Sequence, residues 1–103
     1  MSVNNIDLQT AQKWAKTYRS NPANTIKGQL IPRIDLEQLL ACPEGVDIRA
    51  YFGIDDLGQE KLMLVSTDVN GSDLISDAKG QYIYDRSQPC PTNCDTKSPL
   101  YIL

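Results

Sequence analysis

Two cysteines, Cys90 and Cys94, come closest to a chemical motif in this chain. They stand four residues apart in the segment Pro89–Asp95, a separation at which two thiols can form a disulfide or bind one metal ion. A structural zinc site needs about four ligands, and the chain offers no histidine and only Cys42 as a further thiol. Three interpretations stay open: two free thiols in a proline-rigid loop, a disulfide or redox-responsive pair, and a metal-holding pair. We prefer the first and expect no metal.

Other catalytic motifs do not occur in the sequence. Without histidine the chain lacks the usual general base, and no Gly-x-Ser-x-Gly, P-loop or Gly-x-Gly-x-x-Gly pattern is present. The oxygen-bearing residues Asp68, Asn70 and Ser72 resemble the start of an EF-hand loop, but the glycine is fourth instead of sixth and the twelfth residue is Lys79. We therefore read a turn there, and we expect neither an enzyme nor a cofactor.

The charge balance argues against two classes of partner. The net charge is −3, the sequence pI is about 4.7, and lysine and arginine form no cluster, so the electrostatic basis for binding nucleic acid or an anionic membrane is missing. We expect no nucleic-acid partner and no membrane partner. The N-terminus shows no secretory signal and no apolar stretch is long enough to span a membrane, which predicts a cytoplasmic protein with reduced thiols.

The hydrophobic pattern predicts a hairpin from Val46 to Asp68. In its first half apolar residues alternate with the others, as in a strand with one buried face; they are Val46, Ile48, Ala50, Phe52 and Ile54. In its second half, at Leu62–Val65, apolar residues fall on both faces, which is typical of an interior strand covered on each side. Between them, Asp55–Gln59 supplies the aspartate and glycine that a short loop needs.

An amphipathic helix is predicted over residues 7–20. Its apolar residues follow the spacing of one helical stripe; they are Leu8, Ala11, Trp14, Ala15 and Tyr18. Asp7 is placed to cap the first turn through its carboxylate. We expect Trp14, the one tryptophan of the chain, to lie in the core.

A strand and a short helix are predicted between this helix and the hairpin. The strand covers Thr25–Ile31 and ends at the following proline. The helix covers Ile34–Leu40, with Asp35 and Gln38 spaced as a capping box. It is too short to cover a whole face of a sheet.

After the hairpin the chain is predicted to turn back and then become irregular. Asn70-Gly71 predicts a type I′ turn, in which both central residues have positive φ, followed by a return through Ser72–Ile75. Gln81–Asp85 is a last candidate strand. Residues 86–103 contain three prolines and are expected to form an irregular tail over the domain surface.

The sequence resembles a group of short bacterial proteins of about 100 residues whose function is not established. The shared features are Trp14, Leu30–Pro32, Val46–Asp55 (VDIRAYFGID), Lys61–Val65, and the tail elements Gln88–Pro91, Cys94–Asp95 and Ser98–Leu100. The resemblance implies no activity, cofactor or partner, and it assigns no functional residue.

Together these patterns predict one α+β domain over residues 1–103. We expect an antiparallel sheet of about four or five strands, with the N-terminal helix packed on one face and a short second helix. For function we expect a protein-interaction or self-associating module; the alternative is a thiol-based protein that uses Cys90 and Cys94. The interaction candidates are Tyr51, Met63, Val65, Tyr101, Ile102 and Leu103. We expect the tail, or else a partner chain, to cover Met63 and Val65.

Overall fold

A computed structural model describes residues 4–102 and confirms the α+β class. Within this range the chain forms two α-helices, five strands and one turn of 3-10 helix at Asp77–Lys79. In chain order the elements are α1 (Leu8–Arg19), β1 (Gly28–Leu30), α2 (Arg33–Leu40), β2 (Asp47–Ile54), β3 (Glu60–Thr67), β4 (Asp73–Leu74) and β5 (Gln88–Cys90).

The strands belong to two antiparallel sheets and not to the single sheet that we expected. One sheet has the order β2-β3-β4, and the other pairs β1 with β5. In the larger sheet Asp47 lies opposite Thr67 and Ile54 lies opposite Glu60. The prediction that the second hairpin strand occupies the middle of a sheet is therefore confirmed, because β3 has a neighbour on each side.

Both hairpins of the larger sheet turn through the same kind of five-residue loop, Asp-x-x-Gly-x. In the first loop, the Asp55 carboxylate accepts hydrogen bonds from the backbone N–H groups of Leu57 and Gln59, and Gly58 has a φ of 80°. Asp68 plays the same part in the second loop. The tight turn was predicted correctly, but its type was not: Gly71 has a φ of 79°, whereas Asn70 does not have the positive φ that a type I′ turn requires.

The core is small and lies at one end of the larger sheet. Its buried apolar residues are Leu39 from α2, Leu64 and Val65 from β3, and Leu74 from β4. The α2 helix is joined to β3 by a buried hydrogen bond of 2.7 Å, which the Ser66 hydroxyl donates to the Leu39 carbonyl oxygen. Packing of α2 on β3 therefore defines the best-covered part of the molecule.

The start of α2 differs from the predicted capping box. The N-cap is Pro32, which has no side chain to cap the helix, and Asp35 lies inside the first turn. Pro32 is extended at φ −61° and ψ 137°, and its carbonyl oxygen accepts the Asp35 N–H, so the helix begins at Arg33, earlier than a cap at Asp35 would allow. Asp35 and Leu39 are both buried, one helical turn apart on the same face.

The first helix has the predicted bounds but not the predicted burial. Asp7 caps α1 as expected, since its carboxylate accepts the Thr10 N–H at 2.8 Å. No residue of α1 is buried, however, and Trp14 is 59% exposed, so its assignment to the core is wrong. The Arg19 guanidinium instead binds the carbonyl oxygens of Leu100 and Tyr101. The helix is attached to the chain end by polar contacts, and its apolar stripe is left largely uncovered.

The remaining strand predictions are partly wrong. Gln81–Asp85 is not a strand, because only Tyr84 pairs, through two backbone hydrogen bonds with Leu64 of 2.8 and 3.0 Å. The strand predicted at Thr25–Ile31 shortens to β1. Within residues 86–103, expected to be irregular, Gln88–Cys90 forms β5 against β1.

Truncation of a core leucine should destabilise the fold far more than truncation of a surface leucine. Leu64→Ala removes a side chain that is 2% exposed, and we expect the free energy of unfolding to fall by about 2–4 kcal/mol, from lost apolar burial plus the cavity left behind. The matched control is Leu57→Ala in the first hairpin loop, where the leucine is exposed and the change should stay within about 0.5 kcal/mol. Urea unfolding measures both; equal losses would contradict the described core.

Candidate interaction surface

The outer edge of β2 is open. Leu64 directs its backbone N–H and C=O toward Tyr84, away from β2, and Ala50 lies opposite Leu64. In an antiparallel pair whose residues are not hydrogen-bonded to each other, the backbone groups of both residues point away from the facing strand. The N–H and C=O of Ala50 therefore point away from β3. The same alternation directs those of Ile48 and Phe52 outward. Within residues 4–102, β2 pairs with β3 alone, so this edge has no partner strand.

The same residues carry an apolar side-chain row that the molecule does not cover. We expected the row from Val46 to Ile54 to be a buried face, and this is wrong: no residue of β2 is buried. Phe52 is 87% exposed and Ile54 is 74% exposed. The physical reason is that α2 reaches only the other end of the sheet, while α1 stands away from it.

A cleft of about 780 Å³ separates α1 and β1 from the loop end of the β2–β3 hairpin. Its apolar lining comes from three elements and the segment before β1, and includes Ala15, Tyr18, Ile26, Phe52, Ile54 and Leu62. The basic residues Arg19, Lys27 and Lys61 also line it. The volume falls in the range of about 300–1,000 Å³ that is typical of ligand pockets, but the high exposure of Phe52 makes it an open groove.

The whole chain is more extended than a closed monomer of its size. Its radius of gyration is 15.7 Å, against about 13 Å expected for a folded chain of roughly this length. Its accessible surface is 7914 Å², whereas a monomer of this mass is expected to show about 5,800 Å². The difference is roughly 2,000 Å², so one copy leaves more surface in water than a compact monomer of its mass.

The opposite face of the sheet is held by a polar cluster of Arg49, Tyr51 and Asp73. Arg49 donates to the Asp73 carboxylate and to the Gly71 carbonyl oxygen at 3.0 Å, and the Tyr51 hydroxyl donates to the second Asp73 oxygen. Because β2 and β4 flank β3, these bonds cross over β3 on the face that carries Val65. Val65 is 2% exposed.

The cluster shifts the pKa of each of its members. The hydrogen bond from Tyr51, followed by the bond and charge of Arg49, lowers the pKa of Asp73, although desolvation opposes this. The bond to Asp73 raises the pKa of the Tyr51 phenol and also that of Arg49. A phenol with a raised pKa stays protonated at neutral pH, so Tyr51 keeps its proton in the hydrogen bond to Asp73 and helps to join β2 to β4.

The structure separates the six predicted interaction residues. Tyr51 is partly exposed but is held by Asp73, Val65 is buried, and Met63 is half-buried with its methyl group against Gly53. The Tyr101 ring lies 4.2 Å below the Lys27 ammonium, measured to the ring centroid.

The chain end does not lie where we expected it. Ile102 is 61% exposed, and Leu103 lies outside the described residues. The carbonyl groups of Leu100 and Tyr101 are bonded to α1, whereas we expected this part of the tail over Met63 and Val65. β5, earlier in the same segment, lies against β3.

Sequence reasoning missed Phe52, Ile54 and Asp73. It found the apolar row that contains Phe52 and Ile54 but assigned it to the interior. Asp73 carries no local signal, since its pairing with Arg49 follows from the strand register, which brings residues 24 positions apart onto one face. The available signal was quantitative: one amphipathic helix supplies too little apolar surface for both faces of the hairpin.

The cysteine pair is a disulfide. Cys90 and Cys94 are bonded to each other, so the preferred interpretation as free thiols is wrong. Because both sulfurs are in the disulfide, neither is a thiolate that could bind a metal ion. The structure places no group of three or more histidine, cysteine, aspartate or glutamate side chains together for a metal ion in residues 4–102.

Comparisons with known proteins do not assign a family. The chain matches no family model, and it matches neither a curated protein nor a solved structure. The described part of the chain contains no helix with the length and apolar character needed to cross a bilayer. The resemblance to short bacterial proteins stays a prediction.

Removal of the Asp73 carboxylate should destabilise the fold in a pH-dependent manner. Because the pKa of Asp73 is lower in the folded state, its contribution to stability is present above the ordinary pKa of about 3.9. That contribution is lost as the pH falls through the lowered value. We expect Asp73→Asn to unfold at a lower temperature than the wild type at pH 7 and to match it at about pH 2.

The control for this comparison is Asp56→Asn in the first hairpin loop. Asp56 is exposed, so its replacement should leave the melting temperature close to that of the wild type throughout the pH series. A constant gap between wild type and Asp73→Asn down to the lowest pH would show that the carboxylate charge does not stabilise the cluster.

Thiol titration tests the disulfide. Cys42 is the one free cysteine in the described residues, so the protein unfolded in denaturant without reductant should show one reactive thiol per chain. After reduction it should show three, because the chain contains three cysteines. Three reactive thiols before reduction would contradict the disulfide.

Proposed function

We propose that this chain is a non-catalytic interaction module that binds a polypeptide strand along the open edge of β2. The observation that carries the proposal is the coincidence of two features on one strand. Outward-pointing backbone groups at Ile48, Ala50 and Phe52 are open to a further strand, and on the same strand the side chains of Phe52 and Ile54 are 87% and 74% exposed. An added strand can engage both.

The geometry favours a polypeptide over other ligands. The β2 strand is eight residues long and offers donors and acceptors at every second residue, which is the spacing of the complementary groups on an extended chain. Main-chain hydrogen bonds then supply affinity, and the side chains of alternate residues supply specificity. The groove beside Phe52 and Ile54 is lined by apolar residues that can receive side chains of the added strand.

A second candidate function is redox response at the Cys90–Cys94 disulfide, favoured by its position at the end of the smaller sheet. Cys90 pairs with Gly28 in the β1–β5 ladder, and its carbonyl oxygen accepts the Lys27 N–H at 2.6 Å. Reduction would remove a covalent constraint beside these contacts. If the protein is cytoplasmic, as proposed from the sequence, the disulfide would form only transiently, because that compartment keeps thiols reduced.

Site-specific photocrosslinking tests the interaction proposal. With p-benzoylphenylalanine in place of Phe52 in cells that express the chain, we expect a covalent adduct of defined mass to a polypeptide after irradiation. The matched control carries the same photoreactive group in place of Ile83, which is 53% exposed. Ile83 adjoins Tyr84, which bonds to Leu64 on the side of β3 away from β2. We expect little or no adduct from that position.

A substitution in β2 makes the result specific to the edge. Ala50→Pro removes an N–H that points away from β3, and proline is tolerated at such positions of an edge strand. The variant should therefore give the circular dichroism spectrum of the folded protein but no Phe52 adduct. Equal adducts from both positions, or none from Phe52, would overturn the proposed function.

A further inference from the structure

Resting on the proposed function, we infer that the strand added to β2 is β2 of a second copy of this chain. The two β2 strands run antiparallel about a twofold axis perpendicular to the sheet, with Ala50 opposite Ala50 of the second copy. The two three-stranded sheets become one continuous sheet of six strands. Four steps support this assignment: symmetry, register, edge composition and area.

Symmetry is satisfied by the backbone of β2. With a twofold axis normal to the sheet, the same face of both copies lies on the same side of the joined sheet. Each even-numbered residue must therefore lie opposite an even-numbered residue of the second copy, and each odd-numbered residue opposite an odd-numbered one. The outward-pointing groups belong to residues of even number, including Ile48, Ala50 and Phe52. Self-pairing therefore always brings donors of one copy to acceptors of the other.

Charge selects among the allowed registers. Centring the axis on Arg49 would place two guanidinium groups opposite each other, and centring it on Tyr51 would place Asp47 opposite Asp55 of the second copy; like charges in such positions are destabilising. Centring on Ala50 brings Arg49 opposite Tyr51, and brings Asp47 opposite an uncharged glycine.

Overlap also favours the Ala50 register. Ile48 lies opposite Phe52 of the second copy, and Phe52 opposite Ile48, so the exposed Phe52 side chain gains the half-buried Ile48 as an apolar neighbour. Centring on Phe52 would instead leave Ile48 beyond the end of the facing strand. In the Ala50 register, residues 47–53 of one copy pair with residues 53–47 of the second copy.

The edge of β2 carries few of the devices that prevent strand addition. Monomeric proteins protect an exposed edge with charged residues, especially lysine, with proline, with a short length or with a covering loop. The β2 strand has eight residues, DIRAYFGI, with neither lysine nor proline, and no other strand of the described residues pairs with its outer edge. Of its two charged residues, Asp47 and Arg49, the arginine is bonded to Asp73 across β3.

The uncovered area is sufficient for a dimer interface. The roughly 2,000 Å² by which the accessible surface of 7914 Å² exceeds that of a closed monomer is larger than the roughly 800 Å² that each partner contributes to a stable interface. One copy therefore has enough uncovered surface for a standard interface, and Phe52 and Ile54, at 87% and 74% exposure, are part of that surface.

Light scattering coupled to size exclusion tests the dimer with the full chain. We expect a mass of twice 11.5 kDa for the wild type. Ala50→Pro and Phe52→Lys should shift the protein to monomer mass, since one removes a central hydrogen-bond donor and the other places a charge on the paired face. The matched control, Leu57→Lys, alters an equally exposed apolar residue outside β2 and should remain a dimer.

Amide hydrogen exchange gives a second measurement that does not depend on variants. In the dimer, the N–H groups of Ile48, Ala50 and Phe52 should exchange at least about tenfold more slowly at high than at low protein concentration. The N–H of Ile54 should not, because it lies beyond the overlap of the Ala50 register. Protection that extends to Ile54 would overturn this register.

The outcomes separate the inference from the proposed function. A monomer at all concentrations, or a dimer that both variants leave intact, overturns self-pairing of β2. If the Phe52 photoadduct then has the mass of this chain plus a different polypeptide, the edge binds another protein and the proposed function stands. If no adduct forms either, both fail.

Discussion

The covering of β3 on both faces is the constraint on which the rest of the structure depends. On one face α2 packs at Leu39 and receives the Ser66 hydroxyl; on the other, Arg49 and Asp73 meet across the strand. Residues 64–67 are all buried between these two layers. On one side β3 pairs with β2 along its whole length. On the other side it pairs at Leu64, Ser66 and Thr67, so its backbone is paired in both directions in the same stretch where its side chains are buried.

The protection that β3 receives is uneven along its length, and this explains the exposed surface. The end near Thr67 is covered by α2 and flanked by β4, whereas the end near Glu60 faces the cleft below α1. Since α1 is attached by bonds from Arg19 and Gln12 to backbone carbonyls of the chain end, it buries little of the hairpin. Packing that stabilises one end of a sheet by itself leaves the other end available for a different chain.

Local features were predictable from the sequence, and long-range ones were not. The bounds of α1, the Asp7 cap and both hairpin turns follow from residues within a few positions of each other, where spacing and turn chemistry are decisive. The burial of Trp14 and Phe52 depended instead on where α1 lies relative to β2, which no local pattern encodes. Asp35 shows the same limit on a smaller scale. Its spacing to Gln38 fits a capping box, but the helix is capped earlier, at Pro32, and Asp35 is buried inside the first turn.

An alternating pattern specifies that one face of a strand leaves water, but it does not specify within which molecule. For β2 the hydrophobic row and the outward backbone groups belong to the same residues, so neither α1 nor the tail alone could satisfy both requirements: a helix can cover side chains but cannot pair a strand edge. Only another extended segment supplies hydrogen bonds and apolar cover together. The register of β2 against β3 fixes which residues point outward, so the same pairing that forms the core also determines which backbone groups lie at the open edge.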